Sequence, residues 1–220
     1  MRIEDEATRV VLIRHGQTAW NVATRIQGHT DEPLNAHGHW QAAQTASVLA
    51  SEPFSAIYSS DLQRARATAD VLARRIGLKV IEEPGLRERH FGRFEGASYK
   101  EIDAQWPHEA LRWRRREADY APPGGEVLAD FFDRVVRAAT VLAARHRGEL
   151  IALVSHGGAL DCLYRAALCL PLNAPRSWQI GNAAIHRLLY TGRGFSLVGW
   201  NDDAHLALPG DAGAAGAVGA

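Results

Sequence analysis

The sequence predicts an α/β fold: a mostly parallel central sheet flanked by helices on both faces, with a lid-like insertion over residues 83–125. Three observations carry this reading. Short apolar, β-branched runs alternate with helix-length amphipathic stretches. Two of those runs, 9–13 and 150–154, are almost wholly apolar, as strands buried on both faces must be. The stretch after the third run is too long and too broken for a plain connection, which marks an excursion over the edge of the sheet.

The elements follow in order. Residues 9–13 form the first strand, which ends at Arg14-His15-Gly16. Residues 35–50 carry helical spacing through Trp40, Ala43, Ala46 and Leu49, and stop before Pro53. Residues 56–59 are the second strand. Ser60 or Asp61 is placed to cap the next helix, which runs to about Arg75 and is closed by Gly77. Residues 78–81 are the third strand. Residues 83–96 are broken by Pro84, Gly85, Gly92 and Gly96. Residues 99–117 read as helical, polar and interrupted by Pro107, and Pro122-Pro123-Gly124-Gly125 is a hard break. A long amphipathic helix over 126–147 stops at Gly148. Residues 150–154 are the strongest strand; they run into Ser155-His156-Gly157-Gly158 and a helix over 159–168. Residues 183–190 and 195–200 pair as a hairpin around 192–194. One domain spans 1–208, and the glycine- and alanine-rich stretch 209–220 is expected to be a disordered tail.

Composition narrows the function. Basic and acidic residues balance at 25 each, which argues against a nucleic-acid partner or an anionic membrane surface. No apolar run approaches the ~18 residues a membrane span needs. Residues 1–8 are charged and lack the apolar core of a signal peptide, so a soluble, cytoplasmic protein is expected. Cys162 and Cys169 lie on one helical face two turns apart, too far for a disulfide, and read as small core residues. Apart from Lys79 and Lys100 the basic residues are all arginines; base composition explains that, although arginine also suits bidentate phosphate contacts.

Two segments share one design: a buried strand, then a histidine followed by glycine, at His15-Gly16 and His156-Gly157. Ligands of open α/β sheets bind beyond the carboxyl ends of the strands. Both imidazoles are therefore expected in one crevice, where a glycine lets the backbone approach a ligand closely. Metal binding is disfavoured, because there is no His-Glu-x-x-His, no Cys-x-x-Cys and no acidic cluster. His37-Gly38-His39 reads as a solvated turn. Arg14 precedes His15, and Arg64 sits one turn into the helix after the second strand. Arg64 and Arg66 do not share a helical face, so at most one of them enters the crevice.

Two arginines with two histidines suit a compact dianion such as a phosphoryl group, whose equatorial oxygens need stabilising in the transition state. The other phosphate devices are missing. There is no Gly-x-x-x-x-Gly-Lys-Ser/Thr loop, and the positions six after the cysteines are Leu168 and Pro175 rather than arginine. A nucleophilic histidine remains, which needs a neutral attacking nitrogen and a partner for the other. Glu88, in the irregular segment that can fold over the pocket, is the candidate acid and base. A lone glutamate between Arg87 and Arg89 also reads as a solvated ion pair.

The string Arg14-His15-Gly16-Gln17-Thr18-Ala19-Trp20-Asn21 resembles the signature of the histidine phosphatase superfamily, the group of the cofactor-dependent phosphoglycerate mutases. Gln27-Gly28, Asp31, Pro33-Leu34, the run from Ser59 to Ala69, Leu86-x-Glu88, Pro123-Gly124-Gly125-Glu126, Ser155-His156-Gly157-Gly158 and Trp200-Asn201-Asp202 follow in the family's order. The resemblance spans about residues 9–206. It implies a phosphoglycerate mutase-like fold, with His15 as the phosphorylated nucleophile and Arg14, Arg64 and His156 on the phosphoryl group. It implies Glu88 as acid/base, Asn21, Gln27, Gly28 and Gly157 lining the substrate site, and no metal. Val127 departs from the usual serine after Gly-Gly-Glu, and a weaker helix cap is expected there.

Three activities stay open. A phosphomonoesterase for a small phosphorylated metabolite needs no cofactor. A phosphoglycerate mutase would hold a bisphosphoglycerate cofactor under a long lid and keep water out. The third is an inactive phospho-ligand binder. Only 67 residues separate Glu88 from His156, shorter than the usual mutase insertion, which favours hydrolysis. Arg112 and Arg114-Arg115-Arg116 lie in that interval and could grip a carboxylate or second phosphate, or simply form a solvated face. A homodimer is left open.

Overall fold

The computed structural model describes residues 7–207; the tail expected at 209–220 lies outside them. Six strands form one sheet: β1 (Thr8–Arg14), β2 (Phe54–Ser59), β3 (Val80–Glu82), β4 (Leu150–Ser155), β5 (Ile185–Thr191) and β6 (Gly194–Asp202). The spatial order is β3-β2-β4-β1-β5-β6. The β3–β2, β2–β4 and β4–β1 pairs are parallel. β5 is antiparallel to both of its neighbours, so it alone runs against the rest.

Alternation along the strands splits the core in two. Val10, Leu12, Ile151 and Leu153 pack under α6 (Leu128–Ala144) and α7 (Gly157–Leu168). Val11, Ile13, Ala152 and Val154 face α2 (Ala36–Leu49) and α3 (Gln63–Ile76). Every residue of β4 is buried, as a central strand covered on both faces requires. The insertion holds α4 (Tyr99–Gln105) and α5 (Pro107–Arg114), and Pro107 opens α5 at a position where a missing N–H costs nothing. It has its own small core of Phe94, Ile102 and Ala110 around Ile26. A four-residue helix, α1 (Ala19–Val22), follows β1 and carries a capping box from Thr18 and Asn21.

Several local expectations need correcting. Neither Ser60 nor Asp61 caps α3; its N-cap is Leu62, with no side-chain bond, because Ser60 turns to His156 and Asp61 to Arg87. His37-Gly38-His39 is the first turn of α2, capped by Asn35. Gly38 is there because it lies against Gly16 and Gln17, where a Cβ on either glycine would overlap backbone. Cys162 is buried, but Cys169 is exposed: it closes α7 in a left-handed conformation, φ 52°. The strand expected at 78–81 lies two residues later, and the helix expected at 126–147 is the shorter α6. No helix of the described residues is long and apolar enough to cross a membrane.

Val127 caps α6 without a side-chain hydrogen bond. The Leu128 and Ala129 amides donate to Tyr120 O and Ala118 O, and Phe131 to Val127 O. The Asp130 amide is therefore the donor a serine hydroxyl at 127 would reach. Val127→Ser should stabilise the protein by about 1 kcal/mol, read as a higher denaturation midpoint at unchanged slope; an unchanged or lower midpoint would count against this account of the helix start.

Candidate active site

Strand register brings the two histidines together. Ile13 pairs with Val154 and Arg14 with Ser155, and the His15 amide donates to Ser155 O at 2.9 Å. The next residue on each strand is the histidine, and the imidazole centroids lie 5.2 Å apart. Both side chains are buried. His15 Nδ1 sits 2.7 Å from Gly16 O. A carbonyl only accepts, so the proton is on Nδ1 and the neutral ring presents a bare Nε2. Burial first, then the Arg64 and Arg14 cations, hold His15 well below an ordinary histidine pKa. His156 is held low by burial, Arg64, His15 and Arg14.

The two arginines are pinned by main-chain oxygens. Arg64, buried at the start of α3, donates through Nη1 to Thr30 O (2.9 Å) and Nη2 to Gly28 O (2.7 Å). Arg14 Nη1 donates to Ile180 O at 2.6 Å, and burial lowers its pKa to about 10, which leaves it cationic at neutral pH. Arg66, on the other face of α3, pairs with Asp70 and Glu82 outside the site. Three buried polar nitrogens around His15 have no protein partner among the described residues: Arg14 Nε, Arg64 Nε and His156 Nδ1.

Glu88 is not in an ion pair with its neighbours in sequence. Arg87 turns to Asp61, and Arg89 is buried on Tyr120 O and Glu126 O. The Glu88 carboxylate accepts from the Arg89 and Gly158 amides, both at 2.8 Å. A Cβ on Gly158 would overlap that carboxylate, so glycine lets it rest on the first turn of α7. Asn21 Oδ1 accepts from Thr18 N (3.0 Å) and Asn182 Nδ2 (3.1 Å), and Gln27 Oε1 from Thr18 Oγ1 (3.0 Å). With their oxygens occupied, both amides have N–H groups left to donate.

A pocket of about 350 Å³ opens over this floor, the size of a small-molecule site. Arg14, His15, Asn21, Gln27, Gly28, Arg64, Glu88 and Gly157 all line it, while His156 is fully buried beside His15, 5.2 Å from it, and is not part of the lining. Of the arginines singled out in the insertion, only Arg116 reaches it. Arg112 pairs with Glu117 and Asp119, Arg114 with Asp103, and Arg115 lines an adjoining cleft. Arg116 adopts φ 53° and donates to Asp161 Oδ2 and Leu172 O, both at 2.7 Å.

Sequence reasoning missed Arg25, Tyr99, Trp113, Asp161 and Arg176, which also line the pocket. Asp161 was within reach, because it lies one helical turn after Gly157 on α7. Arg176 sits in an aperiodic loop and gave no local signal. With both imidazoles neutral, five guanidiniums face two carboxylates around the pocket, so it attracts anions. Among the described residues, no group of three or more His, Cys, Asp or Glu side chains could hold a metal ion. The floor therefore offers an unprotonated imidazole nitrogen beside fixed cationic donors, with a carboxylate alongside.

The family model for histidine phosphatase superfamily, branch 1, matches residues 10–203. Phosphoglycerate mutase-like protein 4 of Arabidopsis thaliana is 37% identical over 202 residues, 90% of this chain and 86% of that protein. The metal-independent phosphoserine phosphatase of the same plant is 35% identical over 209 residues, 94% of this chain and 86% of that one. A mycobacterial glucosyl-3-phosphoglycerate phosphatase solved with VO3 superposes with TM-score 0.80 at 37% identity, covering 88% of this chain and 99% of its own. With that match spanning both strand-end histidines and the whole sheet, the chain belongs to the histidine phosphatase superfamily.

Proposed function

We propose that this protein is a metal-independent phosphomonoesterase that hydrolyses a small phosphorylated metabolite through a phosphohistidine on His15. The carrying observation is the neutral His15 ring with a bare Nε2, 5.2 Å from His156 and beside the unpartnered Arg14 and Arg64 Nε groups. The phosphoryl group would lie among Arg14, Arg64 and His156, with Asn21 and Gln27 donating from the side and Gly28 and Gly157 leaving room. His15 Nε2 attacks phosphorus as the ester P–O bond breaks, and Glu88 protonates the leaving oxygen. Glu88 then takes a proton from water, which attacks the phosphohistidine, releasing phosphate and restoring His15. Two free thiols, Cys162 and Cys169, suit a reducing, cytoplasmic setting.

The outer pocket supports a leaving group with its own negative charge. Arg116 and Arg176 line that end, with Tyr99 and Trp113 stacked 6° from parallel beside them. The same two arginines favour a second reading, a mutase acting on phosphoglycerate with a bisphosphoglycerate cofactor, in line with the name of one relative. Supplying 3-phosphoglycerate with catalytic bisphosphoglycerate separates the two: phosphate release is expected, and efficient isomerisation without it would replace the hydrolase reading.

The direct test is hydrolysis of p-nitrophenyl phosphate with a chelator present. His15→Ala should abolish turnover and remove the acid-labile phosphoenzyme; activity above a few per cent of wild type would exclude His15 as nucleophile. Glu88→Gln should slow alkyl phosphates far more than activated aryl phosphates, whose leaving groups need little protonation; equal losses would take Glu88 out of the acid role. Arg176→Ala should raise KM about tenfold for phosphomonoesters that carry a carboxylate and leave p-nitrophenyl phosphate within about twofold, since one charge-assisted contact is worth about 1.5–3 kcal/mol; equal effects on both substrates would show that the outer end does not select.

A further inference from the structure

Ser60 lies at the end of β2, fully buried, and was expected to cap a helix. Its hydroxyl is instead 2.8 Å from His156 Nε2 and accepts a 3.3 Å hydrogen bond from the Leu62 amide. No other hydrogen bond of that hydroxyl exists among the described residues. Its backbone is held too: the Ser60 amide donates to Val154 O at 3.0 Å, and Ser59 Oγ donates to Ser60 O at 2.8 Å. The oxygen is thus presented to the ring by two neighbouring strands.

We propose that Ser60 is a positioning residue that sets the tautomer of His156, so that its Nδ1 carries a proton to donate to the phosphoryl group. Counting partners decides it. If Nε2 carried the proton, it would donate to Ser60 Oγ. The serine hydroxyl proton would then lack an acceptor, and Nδ1 would be a buried lone pair without a donor. If Ser60 O–H donates to Nε2, the Leu62 amide and the serine proton are both satisfied. One group remains, an N–H on Nδ1 facing no protein acceptor. A buried polar group left without a partner costs about 1–3 kcal/mol, so the arrangement with one such group prevails over the arrangement with two.

His15 and His156 therefore hold the same tautomer, protonated on Nδ1, but leave opposite ring nitrogens without a partner among the described residues. His15 gives its Nδ1 proton to Gly16 O and bares Nε2; His156 accepts at Nε2 and bares an N–H at Nδ1. One ring offers electrons where the other offers a proton. A hydroxyl is the right partner for this second ring, since it donates while the imidazole is neutral and accepts if a bound dianion draws a second proton onto it. A carboxylate or a carbonyl at this place only accepts, and would force the proton onto Nε2.

The proposal rests on His156 facing the phosphoryl group, but its first test does not need turnover. Nitrogen-15 imidazole spectra of the wild-type protein near neutral pH should show His156 Nδ1 protonated and Nε2 bare, and His15 likewise protonated on Nδ1. A His156 proton on Nε2 overturns the proposal whatever the enzyme does. Ser60→Ala should shift His156 towards the other tautomer and lower kcat/KM for p-nitrophenyl phosphate on the order of 10- to 100-fold, the scale known for outer partners that orient metal-bound histidines. Ser60→Thr, which keeps the hydroxyl, should restore the wild-type tautomer and most of the activity. Loss of activity in Ser60→Ala with an unchanged His156 spectrum would mean that the serine acts through packing, and would also overturn the proposal. If wild type hydrolyses no phosphomonoester while His156 shows the stated tautomer, the functional reading fails and the assignment of Ser60 to this ring stands.

Discussion

The arrangement depends on the parallel register of three strands. β2, β4 and β1 are neighbours, with Ser59 level with Val154 and Ile13 level with the same residue. β2 ends at Ser59, and β4 and β1 end one residue past that level, so Ser60, His156 and His15 emerge in a row along the carboxyl edge of the sheet. A slip of one residue would turn every side chain of that strand to the opposite face. The slip is prevented by the core, because Leu12 and Leu153 must face α6 and α7 while Val11 and Ala152 face α2 and α3. The chemistry is thus aligned by hydrophobic burial that lies several residues away from it.

Burial also sets the electrostatics. Two imidazoles enclosed beside two guanidiniums stay neutral, since a proton on either ring would be both desolvated and repelled. Main-chain carbonyls hold the guanidiniums, Arg64 on Gly28 and Thr30 and Arg14 on Ile180, and the Glu88 carboxylate favours their charge against burial. Those carbonyls come from loops distant in sequence, so the cations are fixed before any ligand arrives. Three buried nitrogens around His15 without partners among the described residues are a standing cost to the fold, and on the proposed function a bound oxyanion would relieve all three at once.

Much of this was legible in the sequence, and what was missed shares a cause. The strand ends, the alternation of strands with helices, and the pairing of His15 with His156 follow from local pattern, a buried run and then a histidine and a glycine. Arg64 and Glu88 are candidates by their place one turn into a helix and in an irregular segment, and the resemblance implies their roles. Ser60 was misread because a serine before a helix looks the same whether its hydroxyl caps that helix or turns to another strand. Cys169 was misread because helical spacing placed it on the face of Cys162, whereas α7 ends at it in a left-handed turn. Among the insertion's arginines, the choice of Arg116 is made by the end of α5 at Arg114 and the positive φ of Arg116, which turns it towards Asp161. Arg176 follows no periodicity, and only the folded loop brings it to the pocket.

The pocket therefore has two halves built by different parts of the chain. The inner half belongs to the edge of the sheet, and its two arginines are held by main-chain carbonyls. The outer half belongs to the insertion and to the loop after α7, and its residues are tied by side chains: Arg116 to Asp161, and Tyr99 to Trp113 by stacking. On the proposed function, a change there would alter which leaving group is accepted without moving His15. Related chains can then keep one way of handling a phosphoryl group while their names record different substrates, as the phosphoserine and glucosyl-3-phosphoglycerate phosphatases do. On the proposed function, the chemistry would be decided at the sheet, and selectivity by what Arg116 and Arg176 meet in the rest of the molecule that carries the phosphate.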